Sequence, residues 1–100
     1  MTPPDPPRPR VLIWIRSDPV TSGRVNEALR QAVGLAGCRL PVTVFLESAA
    51  AAVLARDPFD FADGEELERN LEILRRWKVP LHSEGDPVVL LAQADRFLRY

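Results

Sequence analysis

The chain has 100 residues, 46% of them hydrophobic and 27% charged, with a net charge of −1. This length and apolar content predict one globular domain with a modest core. The balanced charge argues against a partner that is nucleic acid or anionic membrane, and no apolar run is long enough to span a bilayer. A single cysteine excludes an internal disulfide and no apolar leader opens the chain, so we expect a cytoplasmic protein.

The first nine residues, MTPPDPPRP, are rich in proline and contain no group of apolar side chains that could join a core. Such a composition favours an extended, polyproline-like segment. We therefore predict an untethered tail over residues 1–9 and a single domain over residues 10–100.

The first apolar run, Val11–Ile15 (VLIWI), has no polar alternation. This pattern predicts an interior strand of a parallel sheet, covered on both faces. A polar turn, RSDPVTSG, follows, and a helix is predicted over Ser22–Ala36, with Thr21 or Ser22 as its N-cap. In open α/β sheets, ligands bind just beyond strand ends of this kind.

The rest of the chain continues the alternation of strands and helices. The predicted elements are a strand at Pro41–Leu46, a short helix at Ala49–Ala55 capped by Ser48, a helix at Glu65–Lys78, a strand at Val79–His82, a segment at Val88–Gln93 that is either helix or strand, and an edge strand at Arg96–Tyr100. Alternation of this kind predicts a three-layer α/β/α sandwich with a mostly parallel sheet of four to five strands.

Polar residues follow three of the predicted strands. Because the carboxyl ends of parallel strands share one edge, these residues form a candidate pocket there. Its members are Ser17, Asp18, Thr21, Ser22, Glu47, His82 and Ser83. Polar loops and hydroxyl groups that cap helices explain the same residues without a ligand. We predict no catalytic residue, no cofactor and no metal at this edge.

Several sharper motifs are incomplete. A glycine-rich phosphate loop needs more than Gly23 near the first turn. A phosphoacceptor site needs paired acids after the first strand, where only Asp18 stands. A triad of Ser83, His82 and Asp18 lacks a nucleophile-elbow motif. One histidine and one cysteine are too few for a transition-metal site, and the acidic loop at 57–63 has no calcium-loop motif.

Three stretches carry a family resemblance: VLIWIRSDPVTSG with NEALRQAVGLAG, then PVTVFLESAAAAVL, and the ending ADRFLRY. They resemble the DsrE/DsrF/DsrH (TusD/TusC/TusB) sulfur-relay superfamily. Its members open with a hydrophobic strand, a turn with proline and a hydroxyl residue, an EAL helix and a V-T-V-F strand. The resemblance implies an α/β/α fold, homo- or hetero-oligomers of related subunits, and persulfide transfer in tRNA thiolation or sulfur oxidation.

Sulfur-carrying members of that superfamily place a cysteine after the strand that follows the third helix. The corresponding region here is VPLHSE, at 79–84, which contains none. The resemblance therefore implies an accessory, non-catalytic subunit that acts by oligomerisation and binding.

Two other functions stay open. One is a persulfide-carrying sulfurtransferase that uses Cys38. This residue falls between the first helix and the second strand, where the helix C-terminus disfavours a thiolate. The other is a regulatory domain that binds a small molecule at the edge around Asp18, Glu47 and His82. The sequence thus leaves enzymatic activity open and favours a protein without it.

Overall fold

A computed structural model describes residues 8–100. Most of the predicted tail therefore lies outside the described residues. The elements in chain order are β1 (Val11–Ile15), α1 (Arg24–Gly37), β2 (Val42–Leu46), two 3₁₀ helices (Ser48–Leu54 and Pro58–Asp60), α2 (Gly64–Arg76), β3 (Leu81–His82), α3 (Pro87–Gln93) and β4 (Arg96–Arg99). In this part of the chain no helix is long and apolar enough to cross a membrane.

The four strands form one parallel sheet in the order β3-β2-β1-β4. β1 is therefore an interior strand, as its uninterrupted apolar run predicts. Trp14 is in register with Phe45 on β2 and with Arg99 on β4, and Phe45 is in register with His82 on β3. The end of the chain thus pairs with its first strand, at the edge opposite β3.

One face of the sheet carries the main core. Val11, Ile13 and Ile15 alternate with residues of the opposite face and are buried together with apolar side chains of α1 and α2. The helices supply apolar residues at helical spacing, and these are Val25, Ala28, Leu29, Ala32, Leu67, Leu71 and Leu74. We call this the helical face.

The opposite face, which we call the α3 face, is covered more sparsely. Leu12 and Phe45 are buried there, whereas Trp14 is half-buried. α3 carries the chain from β3 to β4 on this side, and Leu90 of α3 lines the same cavity as Leu12. None of the seven residues of α3 is buried. The predicted three-layer sandwich is confirmed, with a third layer of one short helix.

The segment Val88–Gln93, left open between helix and strand, is helical. The Asp86 carboxylate accepts the N–H of Val88 at 2.9 Å, and Pro87 occupies the first helical position. Both are start signals for a helix. A seven-residue helix following β3 is also what a parallel crossover to β4 requires.

Other predicted boundaries were wrong. α1 begins at Arg24, two residues late, because the N–H of Ser22 is engaged in a turn with the carbonyl of Asp18 at 3.0 Å. Its N-cap is Gly23, with no side-chain capping bond. The alanine-rich segment is a 3₁₀ helix beginning at Ser48, which has a positive φ of 58°. The third strand is confined to Leu81–His82, and the last ends at Arg99.

Candidate functional site

The seven residues of the predicted pocket all lie at or beyond the carboxyl ends of the strands. Ser17 and Asp18 follow β1, Glu47 follows β2, and His82 ends β3. Thr21 and Ser22 lie between β1 and α1, and Ser83 follows His82. The parallel topology therefore places them at one edge of the sheet. They are spread along that edge and do not surround a single point.

Glu47 is the most tightly held of them. The indole Nε1 of Trp14 donates to its Oε2 at 2.8 Å, and Nε of Arg16 lies 3.3 Å from its Oε1. Its side chain is 27% exposed, so these charge-assisted contacts are partly shielded from water. Glu47 thus joins the end of β1 to the end of β2 and has both carboxylate oxygens engaged.

Asp18 and Ser22 organise the turn between β1 and α1. The Asp18 carboxylate accepts the N–H of Val20 at 2.9 Å, and the Ser22 hydroxyl accepts the N–H of Arg24 at 3.2 Å. Both side chains therefore act on the backbone, as polar groups in turns commonly do. Thr21 is exposed beside them.

His82 and Ser83 lie across β2 from the residues that follow β1. β2 separates β3 from β1, so His82 is two strands from Trp14, about 10 Å at the usual strand spacing. Both His82 and Ser83 are exposed. The structure does not bring this imidazole to Ser17 or Asp18, so the triad arrangement has no geometric basis.

A cavity of about 540 Å³ opens at the β1–β4 side of this edge. Its lining consists of Arg16, Ser17, Arg24, Ser48, Arg99 and Tyr100. Ser17 is the one predicted site residue among them. Sequence reasoning missed the three arginines, although two directly follow or end a strand and the third begins a helix. The missing information was that β4 lies beside β1.

A second cavity, of about 380 Å³, lies at the amino edge of the sheet. Its walls combine apolar side chains, among them Leu12, Val42 and Trp77, with the polar residues Arg10 and Lys78. None of the predicted site residues lines it. Among residues 8–100, no group of three His, Cys, Asp or Glu residues is placed to hold a metal ion.

Cys38 lies at this amino edge, as the sequence predicts. It follows α1 directly, caps its C-terminus and is exposed. Nη1 of Arg8 donates to its main-chain carbonyl at 2.6 Å. The thiol is therefore separated from the carboxyl-edge residues by the length of the strands.

No protein-family model matches the chain, and no curated protein matches its sequence. Among solved structures, the chain is similar to the YchN protein from E. coli, with a TM-score of 0.73 and 23% identity. The match covers 92% of this chain and 99% of that one. A likeness over nearly the full length of both chains shows a shared fold. The α/β fold that the sequence predicts is confirmed.

Proposed function

We propose that this protein is a DsrE-like accessory subunit of a sulfur-relay system, which assembles with itself or with related subunits and carries no sulfur itself. The fold it shares with YchN and the sequence resemblance support the family. The observation that carries the accessory role is the composition of the carboxyl edge. β3 ends at His82 and is followed by Ser83, in the region where sulfur-carrying members present a cysteine.

The last two elements of the chain supply a surface for assembly. Val88 is 64% exposed, Val89 54% and Phe97 51%. Apolar side chains exposed to this degree on two consecutive elements favour an interaction surface there. β4 is also an edge strand, whose outer N–H and C=O groups remain available for pairing. These features favour a second copy or a related subunit as the partner.

Sedimentation at micromolar concentration tests the assembly. A mass above the 11.2 kDa of one chain is expected. Phe97→Asp should shift the protein toward the monomer, because a carboxylate would be buried in the contact. Phe59→Asp is the matched control, since Phe59 is 65% exposed but lies on the 3₁₀ helix Pro58–Asp60. A strictly monomeric wild-type chain contradicts self-assembly.

Purification of the tagged protein from the organism that produces it tests whether it forms a hetero-oligomer. The expected companion is a chain of the same fold that carries a cysteine after its third strand. A stoichiometric companion that lacks this fold argues against the relay.

A sulfurtransferase that uses Cys38 is the second candidate. The exposure of Cys38 favours it, because a sulfur donor can reach the thiol. Treatment with inorganic polysulfide, followed by mass spectrometry, separates the two functions. An accessory subunit should gain no more stable sulfur than an unrelated protein with one exposed cysteine gains under the same treatment. Rapid, stable gain of one sulfur that is lost in Cys38→Ser establishes the sulfurtransferase instead.

A further inference from the structure

Three arginines from distant parts of the sequence line the carboxyl-edge cavity. Arg16 follows β1, Arg24 is the first residue of α1 and Arg99 is the last residue of β4. They line one cavity because β4 pairs with β1 in parallel, which brings Arg99 and Tyr100 beside the turn that follows β1. Carboxyl ends of parallel strands are also where α/β sheets usually bind ligands.

Each guanidinium is held by a neighbouring side chain. Arg99 lies over the Trp14 ring, with its Cζ 5.4 Å from the centroid, and Arg24 lies over Tyr100 at 5.9 Å. A cation–π contact of this kind uses no N–H donor, so the N–H groups of Arg24 and Arg99 stay available for a ligand. Arg16 uses Nε against Glu47, which leaves its terminal nitrogens available.

The cavity carries an excess of positive charge. Within residues 8–100, Glu47 is the one carboxylate within 4 Å of any of these guanidinium groups. With Glu47 counted, the three arginines leave a net positive charge. The whole chain has a net charge of −1, so this excess is local. The N-terminus of α1, which begins at Arg24, adds to the positive potential.

We propose that Arg16, Arg24 and Arg99 form a binding site for a small tetrahedral oxyanion of the phosphate type. Guanidinium groups recognise such anions with paired N–H donors, and the hydroxyls of Ser17 and Ser48 line the same cavity as further donors. The cavity is open to solvent, so the anion is either free or the terminal group of an ester that extends outward. This site goes beyond the accessory role and does not depend on it.

Calorimetric titration of the full-length protein with inorganic phosphate, at constant ionic strength, tests the site. Saturable binding is expected, and Arg24→Gln and Arg99→Gln should each weaken it about tenfold or more. Arg75→Gln is the matched control, because Arg75 is exposed in the last turn of α2 and lies outside the cavity. Arg24→Lys keeps the positive charge but loses the paired N–H donors of the guanidinium, so this variant should bind phosphate with intermediate affinity. Phenyl phosphate forms a second arm: tighter binding than phosphate assigns the site to an ester, and equal binding assigns it to the free anion.

Three outcomes overturn the proposal: an equal response to chloride, equal weakening by the Arg75 and Arg24 variants, or binding to an RNA oligonucleotide without binding to phosphate. The sedimented mass of each variant is measured in parallel. A variant that loses phosphate binding but keeps the sedimented mass of the wild type has its defect in the site and not in the assembly.

Discussion

Gly64, the first residue of α2, is the glycine whose surroundings leave the least room for a side chain. A Cβ placed on it would lie 2.5 Å from the Pro58 carbonyl oxygen and 2.7 Å from the Cα of Phe59. Optimal contacts between carbon atoms lie at about 3.5–4.0 Å, so Gly64→Ala requires a backbone shift of roughly 1 Å. The atoms it meets belong to the main chain of a 3₁₀ helix and cannot swing away as a side chain would. We expect Gly64→Ala to lower the free energy of unfolding by about 3 kcal/mol.

Gly34 provides the matched control, because a Cβ there meets nothing within 4 Å. Gly34 is exposed inside α1, where alanine is favoured over glycine by about 1 kcal/mol. The same substitution therefore changes stability in opposite directions, and the two variants should differ by about 4 kcal/mol, or nearly 1,000-fold in the unfolding equilibrium. Urea denaturation at one fixed protein concentration measures both, because association would otherwise contribute to the apparent stability. A Gly64→Ala variant within about 1 kcal/mol of wild type would refute the argument from close packing.

Further predictions concern buried side chains and the tail. Asn70→Leu should raise the free energy of unfolding by about 1 kcal/mol, because the buried Nδ2 of Asn70 has no partner among residues 8–100. Asn26→Leu should lower it by about 2 kcal/mol, since Nδ2 of Asn26 donates to the carbonyls of Ala62 and Asp63 at 3.0 and 3.4 Å, although its Oδ1 has no partner among residues 8–100; equal effects in urea titrations would count against this contrast. Trp14→Ala should cost about 3 kcal/mol by the same assay, and a loss below 1 kcal/mol would show that Trp14 contributes as a surface residue. Deletion of residues 1–9 should leave the melting temperature nearly unchanged in calorimetry, whereas a drop of several degrees would mean that the tail packs on the domain.

The parts of the fold that the sequence predicted are those with strong local signals. The apolar run of β1 identifies an interior strand, and the Asp86-Pro87 pair marks the start of α3. Alternation of the elements then leads to the parallel sheet. The helix predicted at Ala49–Ala55 is a 3₁₀ helix at Ser48–Leu54, and no local pattern in the sequence specifies that helix type. Its first residue, Ser48, has a φ of 58°.

The candidate site was predictable only in part. Residues immediately after a strand can be placed at the carboxyl edge from the sequence alone, as Ser17 and Glu47 were. Which strands are neighbours depends on packing between distant segments. The cavity exists because β4 lies beside β1, and this order brings Arg99 to Arg16. No local pattern contains that information.

The position of β4 also sets the order in which the molecule can fold. The amide of Arg10 donates to the carboxylate of Asp95 across 85 residues, so the β1–β4 ladder closes a loop of nearly the whole chain. β2 lies closer to β1 in the sequence, so it can pair with β1 earlier during folding. Until Arg96–Arg99 arrives, the most apolar strand has one unpaired edge, which is a template for pairing with other chains. Cleavage just before Arg96 would recreate that exposed edge, so the last residues of the chain protect the protein against aggregation.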